Sequence, residues 1–126
     1  MGNKLTLDQI VAGEGDFVAG IPSLAPLKRP AEHIVCADGE HLSVQAGYYL
    51  YSTPKDNVGP YTEVEVGFPS VSPPDTWAEY FDGDWDTEDH TSGVYGYVPV
   101  ALVREFIKAH GGEVHTVTDL DALKEK

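Results

Sequence analysis

The chain is poor in cysteine and in basic residues. Cys36 is its one cysteine, so an internal disulfide is excluded. Only 8 Lys and Arg stand against 21 Asp and Glu, which gives a formal net charge of −13 over 126 residues. A surface of this sign repels phosphate groups, and we therefore expect no direct binding of nucleic acid.

Long apolar runs and familiar catalytic motifs are also missing. No stretch is apolar over the length that crosses a membrane, and the N-terminal residues lack the apolar centre of a signal peptide. We therefore expect a cytoplasmic protein without a membrane partner. Glycine-rich phosphate loops, nucleophile elbows and zinc-protease signatures are absent as well, so we expect a non-enzymatic protein without a cofactor.

The length and the 41% apolar content suit one hydrophobic core. The patterning predicts a single α+β domain over residues 1–126, with an antiparallel sheet of four to five strands and one main helix on its apolar face. Residues 1–31 are predicted to form an extended or partly helical arm, in which Thr6 and Gln9 have the spacing of a capping box. Residues 118–126 are predicted to form a short C-terminal helix.

A hairpin is predicted in "HIVCADGEHLSVQAG". Asp38 and Gly39 tolerate the positive φ angles of a two-residue turn, and this turn would place Cys36 opposite His41 on the more polar face. The apolar face would carry Val35, Leu42 and Val44. A thiol beside an imidazole can form a catalytic dyad, so Cys36 with His41 supplies an alternative hypothesis of a small enzyme.

A second strand and the main helix follow from periodicity. In "YTEVEVGF", strict alternation directs Val64, Val66 and Phe68 to the core and leaves Glu63 and Glu65 facing solvent. In "VPVALVREFIKAHGG", apolar residues recur at helical spacing over residues 99–110. Gly111 stands where a left-handed residue ends a helix.

The most unusual stretch is "DTWAEYFDGDWDTEDH", residues 75–90, which interleaves acids with aromatic rings. It belongs to a longer interval, from Lys55 to Arg104, that contains no other Lys or Arg. Asp82, Asp84 and Asp86 resemble the start of an EF-hand calcium loop. However, the sixth and twelfth positions are Thr87 and Gly93, where that loop requires Gly and Glu. A calcium site at these aspartates therefore stays an alternative.

The same aspartates favour a different hypothesis, an acidic surface that binds a basic protein. In an extended segment, alternate carboxylates recur about every 6.6–7 Å, a spacing of the same order as that of phosphates along a nucleic-acid strand. Exposed rings among the acids would anchor a partner, and the charges would steer it. The predicted partner-binding residues are Glu63, Glu65, Asp75, Trp77, Glu79, Tyr80, Asp82, Asp84, Trp85, Asp86, Glu88 and Asp89. A soluble acidic scaffold without a partner at this surface is the remaining alternative.

Two stretches, "CADGEHLSVQAGYYLYSTPKDNVGPYTEVEVGFPS" and "YGYVPVALVREFIKAHGG", resemble small uncharacterised proteins from the accessory regions of bacteriophage genomes. The resemblance covers residues 36 to about 112 and assigns no role to individual residues. Small acidic phage proteins of this kind often inhibit host proteins, including nucleases and CRISPR effector complexes. The resemblance implies a setting in the host cytoplasm. Together with the charge and the acidic, aromatic stretch, it leads us to expect binding to a basic host protein or nucleoprotein effector complex, by DNA mimicry of the anti-CRISPR or anti-restriction type.

Overall fold

The computed structural model describes residues 5–15, 17–18, 27–28 and 31–114. Two α-helices, a 3₁₀ helix and six strands make up the described part of the chain. The helices are α1 (Leu7–Val11), the 3₁₀ helix (Asp75–Tyr80) and α2 (Val100–Ala109). The strands are β1 (Phe17–Val18), β2 (Leu27–Lys28), β3 (Ile34–Val35), β4 (His41–Gln45), β5 (Glu63–Gly67) and β6 (Val94–Pro99). The helix predicted over residues 118–126 lies outside the described residues.

The main sheet is antiparallel and contains β3, β4, β5 and β6 in chain order. Alternation places the apolar residues of β4 and β5 on one face, and Val44, Val64 and Val66 are completely buried. Phe106 and Ile107 of α2 belong to the same core cluster. These elements confirm the predicted α+β domain, with a four-stranded sheet and one main helix; β1 and β2 pair separately.

The signals predicted for the start of α1 and for the end of α2 are confirmed. Thr6 Oγ1 accepts a hydrogen bond from the Gln9 backbone N–H at 3.1 Å, and Gln9 Oε1 accepts one from the Thr6 N–H at 2.9 Å, which completes the capping box of α1. At the C-terminal end of α2, His110 is the cap residue, and Gly111 follows with a φ of 95°. This is the left-handed conformation that glycine adopts most easily.

The register predicted for the first hairpin is wrong. Val35, and not Cys36, lies opposite His41. The Cys36 N–H donates to the Glu40 carbonyl at 2.8 Å, so the turn contains three residues and includes Gly39 with a φ of 92°. The shift by one residue moves Cys36 to the buried face beside Ile34, and leaves Val35 only half-buried.

The predicted core position of Phe68 is also wrong. Strand β5 ends at Gly67, and Phe68 follows with a φ of 48° and 51% of its surface exposed. Its N–H donates to the Gly93 carbonyl at 3.0 Å, which ties this conformation to the residue that precedes β6. The change of backbone conformation after Gly67 ends the alternation, and the ring turns outward.

Candidate partner-binding surface

The acidic loop, residues 82–90, is attached to the edge of the main sheet. It follows the 3₁₀ helix, and the Asp82 N–H donates to the Val94 carbonyl of β6 at 2.8 Å. Phe81, immediately before the loop, forms an isolated β-bridge with Tyr95. The acids of this segment are therefore carried by a support that belongs to the core of the domain.

Turns, and not an extended strand, shape the acidic loop. The Asp84 carbonyl accepts the Glu88 N–H at 2.9 Å, and the Asp84 carboxylate accepts the Asp86 N–H at 3.0 Å. Glu88 in turn accepts the Asp84 N–H. The extended row predicted for Asp82, Asp84 and Asp86 is therefore wrong, and the spacing of a strand does not apply to it.

The aromatic side chains hold the acidic loop from below. The rings of Trp85 and His90 are stacked, with centroids 3.4 Å apart and planes 8° from parallel. His90 is fixed further by Ser72 Oγ, 2.6 Å from its Nδ1, and by the Trp85 carbonyl, 2.6 Å from its Nε2. The Tyr95 hydroxyl donates to the His90 carbonyl at 2.7 Å. These contacts fix the backbone that displays the acids.

Trp77 does not lie on the surface, and its predicted role in partner binding is wrong. Only 1% of the residue is exposed, and its ring contacts those of Tyr95 and Phe106. Tyr80 and Trp85 are half-buried. The acids of this segment are all exposed: Asp75, Glu79, Asp82, Asp84, Asp86, Glu88 and Asp89. The surface of the segment is thus acidic, with most of its aromatic area turned inward.

Asp89 is held by two hydrogen bonds from a neighbouring residue. Thr91 donates to its carboxylate from both the hydroxyl, at 2.7 Å, and the backbone N–H, at 2.8 Å. These hydrogen bonds, the hydroxyl first, stabilise the charged form and lower the pKa of Asp89. This carboxylate therefore stays negative to lower pH than an ordinary aspartate.

Glu63 and Glu65 lie on the outer face of β5, as alternation predicts, but both are half-buried. Thr53 Oγ1 donates to the Glu63 carboxylate at 2.6 Å. The pKa of Glu65 is raised by burial, although a backbone hydrogen bond from Tyr51 and the charge of Lys55 act in the opposite direction. A hydrogen bond with Glu79 comes first among the causes that raise the pKa of the Tyr80 hydroxyl, and the charge of Glu63 comes last.

Exposed tyrosines are a feature that the sequence interpretation missed. Tyr48, Tyr49, Tyr51 and Tyr97 are each at least 40% exposed. Tyrosine is common in strands, yet residues 47–50 of the "GYYLYSTP" stretch form a turn. The signal that was available is Gly96, because a glycine inside a strand often marks the close approach of another segment, here Tyr51.

The proposed pairing of Cys36 with His41 is absent. The Nδ1 atom of His41 lies 3.0 Å from Nδ1 of His33, and Cys36 is completely buried. Burial, followed by the charges of Asp38, Glu113 and Glu40, raises the pKa of the Cys36 thiol to about 11. Such a thiol is almost entirely protonated near neutral pH, whereas the thiolate is the nucleophile.

We expect native Cys36 to resist alkylation. At pH 8 a thiol with a pKa of about 11 is ionised in about one molecule in a thousand. Burial adds a barrier to reagent access. Labelling with iodoacetamide, followed by mass spectrometry, should be at least about a hundredfold slower in the native protein than in 6 M guanidinium. Equal rates in the two conditions would restore Cys36 as a candidate nucleophile.

The described residues contain no group of three or more His, Cys, Asp or Glu side chains that could hold a metal ion. Two surface grooves lie along α2. One contains Arg104, Lys108 and Glu113, and the other, about 540 Å³ in volume, contains Trp77 and His110. Neither groove includes Cys36, His41 or the three loop aspartates. These grooves therefore do not serve the enzyme hypothesis drawn from the sequence.

No family model, curated protein or solved structure matched the chain in the three comparisons. Within the described residues, no helix combines the length and the apolar character needed to cross a bilayer.

Proposed function

We propose that this chain is a non-enzymatic inhibitor of the phage type, which places its acidic loop in a basic nucleic-acid-binding groove of a host defence protein. The partner would be a nuclease or a nucleoprotein effector complex, so the activity would be anti-restriction or anti-CRISPR. Glu63 and Glu65, on the outer face of β5, extend the acidic area beyond the loop.

The observation that carries this proposal is the exposure of every acid from Asp75 to Asp89 on a segment whose backbone is already fixed. A partner that binds such a surface does not have to order it first, which lowers the entropic cost of association. Trp85 and His90 contribute here as the stacked support of the loop. Charge complementarity then speeds association with a basic groove and selects against acidic partners.

Because the net charge is −13, the affinity for a basic partner should depend on the salt concentration. Exposed charges are screened beyond about 10 Å at 0.1 M salt and beyond about 3 Å at 1 M. Binding of a basic partner through the loop should therefore weaken steeply between these concentrations. Duplex DNA should compete for the same groove, since its phosphates are attracted to the same basic side chains.

The test is charge reversal at positions that do not hold the loop together. Asp82→Lys with Asp86→Lys leaves the Asp84 and Glu88 turn contacts in place. Each exposed ion pair contributes about 0.5 kcal/mol and a reversed charge adds repulsion of similar size, so the two reversals together cost about 2 kcal/mol. We expect an affinity loss of about thirtyfold, measured by calorimetry against a partner captured from bacterial lysate at 0.1 M salt and then purified.

Glu32→Lys with Glu105→Lys is the matched control, because both residues are exposed, lie outside the loop and change the net charge equally. This control should lose less than about threefold in affinity, and both variants should melt near the wild-type temperature. If the loop variant and the control lose affinity equally, only the net charge matters and the loop is a solvated surface. Failure of duplex DNA to compete would contradict the mimicry.

A further inference from the structure

Two exposed aromatic rings lie together beside β6: Tyr97 belongs to this strand, and Tyr51 packs against its Gly96. The rings of Tyr51 and Tyr97 lie 5.7 Å apart and are 48% and 40% exposed. Tyrosine is enriched at binding surfaces, because one end of its ring is apolar and the other forms hydrogen bonds. Single exposed rings are common, whereas adjacent exposed rings are typical of a binding surface.

The conformation of β6 keeps this pair at the surface. The Tyr97 N–H donates to the Tyr51 carbonyl at 3.0 Å, and a Cβ atom on Gly96 would lie 3.2 Å from the Tyr51 Cβ. Tyr97 has a φ of 55°, which is unfavourable for an aromatic residue. Tyr95 and Val98 are completely buried, so this conformation turns Tyr97 outward between two core positions. Unfavourable backbone conformations of this kind occur preferentially at functional sites.

A cation already lies against this surface. The Lys55 Nζ is 5.4 Å from the centroid of the Tyr51 ring, a distance at which the ring attracts a positive charge. Glu65 lies on the outer face of β5 beside this part of β6, because its neighbours Val64 and Val66 pair with Val98 and Tyr95. The backbone of Tyr51 and the charge of Lys55 both favour the charged form of its carboxylate. An aromatic face and a half-buried carboxylate are thus close enough to act on the same cation.

We infer that Tyr51, Tyr97 and Glu65 form an arginine site, which binds an arginine side chain of a basic protein segment in place of Lys55. A guanidinium is planar, so it stacks on a tyrosine ring and donates two hydrogen bonds to one carboxylate. The Lys55 ammonium is a point charge on a flexible chain and cannot do both. The net charge of −13 attracts such a segment and repels nucleic acid. This site shares Glu65 with the acidic area proposed above, but it contains no residue of the acidic loop.

The probe is a short synthetic peptide of alternating glycine and arginine, titrated into the full-length protein and followed by NMR of backbone and aromatic signals. We expect saturable shifts at Tyr51, Tyr97 and Glu65. Two control peptides replace every arginine, one by lysine and the other by the uncharged citrulline. The lysine peptide should bind about fivefold more weakly, and the citrulline peptide should not shift these signals. Shifts of equal size with the citrulline peptide would overturn the inference.

Two variants act on the arginine site in opposite directions. Tyr51→Leu keeps an apolar side chain against Gly96 but removes the aromatic face. It should lower the affinity for the arginine peptide about tenfold. Lys55→Met removes the cation that already lies against the Tyr51 ring, and it should raise the affinity for the arginine peptide about threefold. The controls are Tyr48→Leu, another exposed tyrosine, and Lys108→Met, an exposed lysine on α2 with the same charge change. Both controls should bind as wild type.

The outcomes separate this site from the acidic loop. If Lys108→Met strengthens binding as much as Lys55→Met, the effect is one of net charge and the inference fails. Lys55 is exposed, so this comparison decides even if Tyr51→Leu disturbs the fold. The loop variant Asp82→Lys with Asp86→Lys should retain peptide affinity within about threefold. If it abolishes peptide binding while Tyr51→Leu does not weaken it, the peptide binds the loop instead.

Discussion

Val66→Asp should leave the chain largely unfolded at 25 °C. Val66 is completely buried in the centre of β5, between β4 and β6. The variant loses about 1.5–3 kcal/mol of apolar burial and must also remove a carboxylate from water, which costs several kcal/mol more. Small domains are stable by about 5–15 kcal/mol in total. Far-UV circular dichroism and a urea titration should show a lost or strongly shifted unfolding transition.

Phe68→Asp is the informative control for this variant. Simple alternation places Phe68 on the same face as Val66, whereas the structure exposes 51% of it at a φ of 48°. Aspartate tolerates this left-handed conformation better than phenylalanine does. We therefore expect the free energy of unfolding, measured by urea titration, to stay within about 0.5 kcal/mol of wild type. Unfolding of Phe68→Asp would show that the ring belongs to the core after all.

Features that depend on a few neighbouring residues could be predicted from the sequence. The capping box needs only Thr6 and Gln9, and the end of α2 needs only a glycine at position 111. The alternation of Val64 and Val66 is likewise complete within one strand. Each of these patterns contains its own physical cause, either a hydrogen bond between near neighbours or the two-residue period of a strand.

The hairpin register could not be predicted, because its cause lies far away in the chain. Asp38 and Gly39 fit a two-residue turn and a three-residue turn equally well. The backbone N–H groups of Ala37 and Asp38 donate to the carbonyls of Gly112 and His110, at 2.9 and 3.1 Å. The turn is thus held by the end of α2, a contact that no local pattern contains.

The sequence predicted which acidic side chains of the candidate surface are exposed, but it did not predict which aromatic rings are. Charge is kept outside by its solvation, so the acids of residues 75–89 could be assigned to the surface from the sequence. A ring is stable inside or outside, and its position depends on the contacts that the fold provides. Trp77 contacts Phe106 in the core, whereas Tyr51 lies over Gly96 at the surface. Composition cannot distinguish these two environments.

Trp77→Ala should remove a large part of the stability of the domain. The ring is 1% exposed, and its centroid lies 5.6 Å from that of Tyr95 and 5.9 Å from that of Phe106. It therefore joins the 3₁₀ helix to both β6 and α2. Replacing a buried tryptophan by alanine costs about 3–5 kcal/mol through lost burial and the cavity that remains. Guanidinium unfolding followed by circular dichroism should show a loss of this size.

Trp85→Ala distinguishes a core ring from a ring that supports the acidic loop. Trp85 is half-buried, and its main contact is the stack on His90. We expect it to cost only about 1–2 kcal/mol, because less area is buried and water can enter the space. It should also weaken binding of the loop's partner, since the backbone that carries Asp84 and Asp86 loses its support. If Trp85→Ala destabilised the domain as much as Trp77→Ala, the loop would be part of the folding core, and its acids could not be varied independently of stability.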